Sequence, residues 1–309
     1  MRVLGFGDNI VDRFLDRGLD YPGGNCVNVA VFAHRLGAEA GYLGVFGDDA
    51  AGTLLQEAIA AEGVDLSRSV VRAGESGVSA LRVDDGERTF LGWNGGGVTV
   101  RSPLVLDDAL LEYAAGFDLV HSSVYSRSEA ELPKLAASRE LVSFDLSSED
   151  EFRTPEYLDR VAPHADLVLL SCSHLDVDQT RALLAEAVSR GASVALATRG
   201  TDGAIVTDGA VTVSAPARLV ADPSTIVDTM GCGDAFLAGF VVSLLGTGWR
   251  RDAPPSNEQF AVALRAGADA AYDQCFVEGA FARARPSGEP VALSEESAAA
   301  SMASVQAHG

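Results

Sequence analysis

Seven consecutive residues, Asp228-Thr229-Met230-Gly231-Cys232-Gly233-Asp234, set a carboxylate beside a glycine-rich turn, and a small, apolar run from Ala235 to Leu245 follows. Such a run reads as a helix whose first turn leaves backbone N–H groups without intrahelical partners, and the positive end of its dipole favours an anion. A phosphate suits that turn. Asp234, held beside those N–H groups, suits a general base that takes the proton of a hydroxyl as it attacks a phosphoryl group. The N–H groups of Gly231, Cys232 and Gly233 would then stabilise the charge that develops on the transferred phosphoryl.

Two further segments share this character. Gly23-Gly24-Asn25-Cys26-Val27-Asn28 precedes an apolar helical run, Val29 to Leu36, and Ala197-Thr198-Arg199-Gly200-Thr201-Asp202-Gly203-Ala204 follows a β-type run. In this order and at these separations, the three segments resemble the signatures of the ribokinase-like (PfkB) carbohydrate kinases. The resemblance spans Arg2 to Ala280. Within the family, Gly7-Asp8-Asn9-Ile10-Val11-Asp12 and the segments from Gly23 and Asp228 look most like those of the fructoselysine 6-kinases.

The resemblance implies an α/β fold: a doubly wound, mostly parallel sheet in a three-layer sandwich, with a small β lid. It makes Asp12, Gly24, Asn25 and Asn28 the residues that hold the sugar, with Arg88, Trp93 and Asn94 on a lid that closes over it. On the nucleotide side it implies Thr198, Gly200, Gly203, Asp228, Thr229, Gly231, Gly233 and Gly279, with helix 259–274 and Gly279-Ala280 flanking the adenine. The cofactors implied are ATP and magnesium, and in several relatives a monovalent cation such as potassium, here near Asp228 and Gly279. A homodimer formed through the lid is a further family trait. One departure stands out: where many members carry Asn-x-x-Glu, this chain reads Ser171-Cys172-Ser173-His174, so no protein ligand for the metal is assigned.

Composition bounds the remaining choices. The chain has 309 residues, 47% of them hydrophobic, enough for one large core. A net charge of −21 argues against nucleic acid or an anionic membrane surface as partner, because both need basic patches. Small molecules are the expected partners. Lys134 is the sole lysine, so a P-loop of the Gly-x-x-x-x-Gly-Lys type is excluded, and phosphates must be met by backbone N–H groups, arginine and metal. Cys26, Cys172, Cys232 and Cys275 form no Cys-x-x-Cys pair, which speaks against a disulfide scaffold or zinc site. The chain opens on a strand-like run with no signal-peptide pattern, and no apolar stretch reaches membrane length; a soluble cytoplasmic protein is expected.

These groups need a frame. Strands are predicted at residues 3–6, 42–46, 119–121, 141–144, 167–170 and 194–197, interleaved with helices at 27–36, 52–61 and 180–190, the alternation of a doubly wound parallel sheet. Such sheets bind ligands beyond the carboxyl ends of their strands, where all three segments fall. Hairpins are predicted around Asp84-Asp85-Gly86 and Asp208-Gly209. The lid is assigned to 13–22 and 76–98, the kinase domain to 1–280, and a mobile tail to 281–309.

The function expected is ATP-dependent phosphorylation of a primary hydroxyl on a sugar or sugar derivative, with a fructosamine such as fructoselysine first. Its secondary amine would need a carboxylate near the lid, from among Asp8, Asp16, Asp20 and Glu87. Ribose, another ketose, a keto-deoxy sugar acid or a nucleoside are the alternative acceptors. A catalytically weak sugar or nucleotide sensor is the alternative outside enzymes.

Overall fold

A computed structural model of the chain describes residues 1–84 and 87–288, with the side chains of 83, 84, 87 and 88 outside the description. In chain order the first half gives strands β1 (Arg2–Gly7), β2 (Ile10–Phe14), β3 (Leu19–Gly23), β4 (Glu39–Gly47), β5 (Val70–Arg72), β6 (Val78–Asp84) and β7 (Glu87–Trp93). Between and after them lie helices α1 (Asn25–Arg35), α2 (Ala50–Ala61), α3 (Gly97–Arg101) and α4 (Asp108–Ala114). The second half adds β8 (Leu119–Ser123), β9 (Leu141–Asp145), β10 (Leu167–Ser171), β11 (Val194–Thr198), β12 (Ala204–Thr207), β13 (Thr212–Ala215) and β14 (Arg285–Pro286). Its helices are α5 (Leu132–Ala136), α6 (Pro155–Val161), α7 (Val177–Ser189), α8 (Cys232–Gly246) and α9 (Asn257–Gln274).

The main sheet runs β13-β12-β11-β10-β9-β8-β1-β4-β5, parallel throughout from β11 to β5, with β12 antiparallel to both of its neighbours. Its central strands are buried on both faces between helical layers. One face packs on α1, α8 and α9 through Val3, Val29, Leu119, Phe240 and Phe260. The other packs on α5, α6 and α7 through Leu4, Leu135, Phe144, Leu158 and Leu184. Helix α8 is apolar almost all round because it lies between the sheet and α9, which starts on a capping box of Ser256 and Gln259. The three-layer α/β sandwich expected from the sequence is present.

A second sheet, β14-β3-β2-β6-β7, forms the lid. Strands β6 and β7 lie within 76–98, β2 and β3 overlap 13–22 but run from Ile10 to Gly23, and β14 lies outside the segments assigned to the lid. The tip residues Asp85 and Gly86 lie outside the described residues. The second predicted hairpin is β12–β13.

The assignment of a mobile tail from residue 281 is corrected for residues 281–288. Phe281 is fully buried, and β14 pairs with β3, covering that edge of the lid. Arg283 meets Glu62 at 2.7 Å and Arg285 meets Glu57 at 2.5 Å, so the segment also rests on α2 and the residue that follows it. An exposed strand edge needs a cover, and a short strand ending in proline suits an edge. Residues 289–309 lie outside the described residues.

Candidate active site

The parallel strands deliver their carboxyl ends to one rim, where Asp8 follows β1, Ser123 ends β8, Asp145 ends β9, Ser171 ends β10 and Thr198 ends β11. Asp234 joins them from the first turn of α8, buried. Its Oδ2 accepts from Asn28 Nδ2 at 2.8 Å. Three residues earlier in α1, and so on the same face, Asn25 donates its Nδ2 to Asp145 Oδ2 at 2.7 Å. The first turn of α1 thus aims one amide at each of two carboxylates.

Asp145 is further held by the Ser147 N–H at 2.7 Å, and Ser147 takes a left-handed φ of 55° to present it. A non-glycine residue in that region stores strain of the kind found at functional sites. Asp8 Oδ1 accepts from the hydroxyls of Ser123 (2.8 Å) and Ser126 (2.9 Å). Asp12, on β2, lies over Gly23: a methyl group there would come within 2.7 Å of Asp12 Oδ2 and 3.9 Å of Asn28 Oδ1. Gly24 is similarly close to Asp8, 3.0 Å from its Oδ2 on the same measure. Asn28 Oδ1 is buried without a hydrogen-bond partner. It is an acceptor aimed beside Asp12.

These carboxylates feel one another. Burial pushes Asp234 well above the ordinary carboxylate range; the Asn28 bond opposes the shift, while the charges of Asp145, Asp8 and Asp12 add to it. Burial likewise pushes Asp145 up to about 6, against the bonds from Ser147 and Asn25. Burial that disfavours the charged carboxylate makes it the stronger base toward a hydroxyl proton.

The turn before α8, expected to meet a phosphate, is built by a latch. Gly231 caps α8 with φ 75°, which favours glycine, and a methyl group there would sit tightly, 3.3 Å from both Ala280 and Phe32. Asp228 accepts from the Met230 N–H (3.0 Å) and the Gly279 N–H (3.1 Å), while Gln274 Nε2 donates to the carbonyls of Met230 and Gly279, both at 2.9 Å. Asp228 and Gly279, expected near a monovalent cation, are thereby tied to each other. The Thr229 carbonyl accepts from the Cys232 N–H at 3.3 Å. Gly233 is different: its φ is ordinary and a methyl group there would meet nothing within 4 Å. The fold does not need glycine at this position, which faces open space in front of the helix.

On the nucleotide side, Thr198 ends β11 beside Ser171, and its carbonyl accepts from the Cys172 N–H at 2.7 Å. Gly200 begins a short 3-10 turn that Arg199 ties to Asp202 at 3.1 Å. Gly203 has a structural reason to be glycine, since a methyl group there would strike the Ala215 carbonyl at 2.1 Å. Ala280, expected to flank the adenine, is fully buried against the Gly231 turn. In place of the Asn-x-x-Glu motif, buried Arg153 reaches the carbonyls of Ser147 (2.6 Å) and Ser171 (2.5 Å) and lies 3.3 Å from His174 Nε2.

In the lid, Trp93 pairs with Ser79 across the β6–β7 ladder and is half-buried against Gly96. Asn94 is occupied structurally, donating to the Ser76 carbonyl at 2.8 Å and accepting from the Val78 N–H at 2.9 Å. The side chain of Arg88 lies outside the described residues. The sequence reading missed Asp145, Gln274 and Arg153. Asp145 stood one residue beyond the predicted strand, at the strand end where ligand-facing groups gather.

The chain resembles known proteins along most of its length. The sequence matches the pfkB family of carbohydrate kinases over residues 16–306. It is 36% identical to the fructosamine kinase FrlD of Bacillus subtilis over 287 residues, covering 93% of this chain and 95% of that protein. It is 33% identical to the fructoselysine 6-kinase of Escherichia coli over 235 residues, 76% and 86% of the two chains. In structure it is similar to a fructokinase of Xylella fastidiosa solved with bound ATP, with a TM-score of 0.73, 21% identity, and 91% and 94% of the chains covered. The chain belongs to the pfkB family of carbohydrate kinases and is an ATP-dependent kinase of a sugar or sugar derivative.

Proposed function

We propose that the acceptor is a fructosamine such as fructoselysine, phosphorylated at the terminal hydroxyl of its sugar. The observation that carries this reading is the charge of the acceptor pocket. Asp8, Asp12, Asp145 and Asp234 converge: beyond its burial, the charges of the other three push Asp234 further up. The hydrogen-bond partners of Asp8, Asp145 and Asp234 are hydroxyls, amides and a backbone N–H, all neutral. A protonated secondary amine would offset that charge on binding, and a plain sugar would not. The names of the Bacillus and Escherichia relatives point the same way.

The roles follow from position. Asp234, with Oδ2 fixed by Asn28, takes the hydroxyl proton on its other oxygen. Asp12 and the unpartnered Asn28 Oδ1 accept sugar hydroxyls beside Gly24, while the N–H groups of Gly231 and Gly233 meet the phosphoryl group, that of Cys232 being taken by the Thr229 carbonyl. Asp145, oriented by Asn25, and Asp8 are the carboxylates we assign to the amine. Asp20 is already matched by Arg13 at 2.7 Å and Asp16 lies 3.6 Å from Arg17, which removes them from the four expected candidates; the side chain of Glu87 lies outside the described residues. Thr198, Gly200 and Thr229 would line the ATP phosphates, with Trp93 on the lid side.

Magnesium would accompany ATP, but the described residues contain no cluster of three or more metal-ligating side chains, and Arg153 fills the end of β10. Its ligands would be phosphate oxygens and water. A cytoplasmic location fits an ATP-consuming enzyme, and no described helix is long and apolar enough to cross a membrane. Among the described residues the β7 edge of the lid has no strand beside it, and a second copy would pair there.

The test is kcat/KM for fructoselysine, fructose, ribose, a keto-deoxy sugar acid and adenosine. Fructoselysine should lead by at least about tenfold, equivalent to ~1.4 kcal/mol of transition-state binding. If an uncharged sugar is used as efficiently, the fructosamine assignment fails and sugar kinase activity alone remains.

A further inference from the structure

Two thiols meet at the edge of the phosphate turn. Cys232, the first residue of α8, and Cys275, which caps the end of α9, place their sulfurs 3.9 Å apart, and both point at the carbonyl of Ala271, at 3.6 and 3.4 Å. Both are partly exposed, whereas Cys26 and Cys172 are buried. All four cysteines are thiols in this structure. A disulfide needs the sulfurs about 2 Å apart, so forming one draws the two helix ends that carry them toward each other. Cys232 also stands where the positive end of a helix favours an anionic sulfur as attacking group.

We propose that Cys232 and Cys275 form an oxidisable dithiol site whose substrate class is the peroxides, and whose disulfide form switches phosphoryl transfer off. The Cys232 thiolate attacks one oxygen of hydrogen peroxide, breaking the O–O bond; hydroxide leaves and takes up a proton to become water, and a sulfenic acid remains at Cys232. The Cys275 sulfur then attacks the sulfenic sulfur, forming the S–S bond and releasing the second water. Both electrons come from the two thiols and reduce one peroxide. The Cys275 carbonyl accepts from the Val227 and Asp228 N–H groups, at 2.8 and 3.3 Å. A covalent bond to Cys232 therefore pulls the capping residue of α9, the Asp228 latch and the phosphate turn toward one another. Turn geometry set to fractions of an ångström for a phosphoryl group is lost.

The full chain is treated with hydrogen peroxide, digested without reduction and analysed by mass spectrometry, with kinase activity followed in parallel. The expected result is a Cys232–Cys275 cross-linked peptide whose fraction matches the fraction of activity lost, at least about tenfold at completion, and recovery of both by dithiothreitol. C275A should keep the basal activity, give no cross-link, and accumulate a sulfenic acid at Cys232 that dimedone traps. Peroxide that oxidises Cys232 without a cross-link overturns the site. A fully cross-linked enzyme that retains its activity overturns the switch. The cross-linked peptide is read without any assay of substrate choice, so its absence is distinguishable from failure of the fructosamine assignment.

Discussion

At the scale of single residues the pocket is a set of buried carboxylates, two of which, Asp145 and Asp234, burial pushes above the ordinary carboxylate range. Asp234→Asn keeps the size of the side chain and removes its basicity. We expect kcat to fall by roughly 10²- to 10⁴-fold, the span for loss of a general base, with ATP affinity nearly unchanged. Unchanged turnover at matched stability would remove Asp234 from the chemistry. Asp145 gives a prediction with a sign. Its folded-state pKa of about 6 lies above the value of an unfolded aspartate, so its ionisation costs stability above pH ~6 and costs nothing below pH ~4, where both states are protonated. The shift corresponds to about 3 kcal/mol. Asp145→Asn should therefore melt above the wild type at pH 8 and level with it near pH 4. The same variant should lower kcat/KM for a fructosamine by at least about tenfold at pH 8 and for fructose much less, since one charge partner for the amine has gone. A melting advantage that persists at pH 4 would mean that packing, not charge, accounts for it.

At the scale of elements the phosphate turn belongs to a helix start, and its two glycines do different jobs. Gly231→Ala must place a side chain at φ 75° and against Ala280 and Phe32, so we expect a loss of about 1–3 kcal/mol in stability. Gly233→Ala meets open space at an ordinary φ, so thermal stability should hold or rise slightly while kcat falls, because the methyl group occupies the room left for the phosphoryl group. Differential scanning calorimetry beside kcat separates the two; a Gly233→Ala enzyme with full activity would mean that the space in front of residue 233 is not where the phosphoryl group sits. The same contrast explains what the sequence made legible. Asp12, Asn25, Asn28 and Asp234 sit inside short motifs at element starts, and βα alternation gave the sheet, so their convergence could be read in advance. Asp145 could not be tied to Asn25, 120 residues away, because a side-chain amide carries no local pattern that names its partner. Gln274 was lost inside an amphipathic helix, where only the fold shows that its amide joins Met230 to Gly279. The tail was misjudged for the same reason: composition near residue 285 looks unstructured until a lid edge is there to pair with it.

At the scale of the whole molecule the C-terminal segment ties the lid to the body. Residues 285–286 extend the lid sheet at β3, the Ser287 N–H donates to the Gly18 carbonyl at 2.9 Å, and Ser287 Oγ donates to Asp20 Oδ1 at 2.8 Å. Asp20 in turn is buried beneath two bonds from Arg13, at 2.7 and 2.8 Å, which raise the guanidinium above its usual range. The segment is also anchored on the body through Arg283 and Arg285, and Arg35 bridges Glu62 and the Phe281 carbonyl. A lid that holds Asp12 on β2 depends on this strap for its resting position, because β2 and β3 form one hairpin. Two truncations isolate the effect: one after Ala282, which keeps the buried Phe281, and one after Gly288. The shorter chain should show a KM for the sugar raised roughly three- to tenfold relative to the longer one, with the KM for ATP unchanged, since only the lid side is released and a misplacement of about an ångström carries a cost of this order or larger. It should also associate more readily, because the β3 edge is uncovered. Equal shifts in both KM values would place the loss in the body of the fold, and the strap would then have no separate hold on the lid.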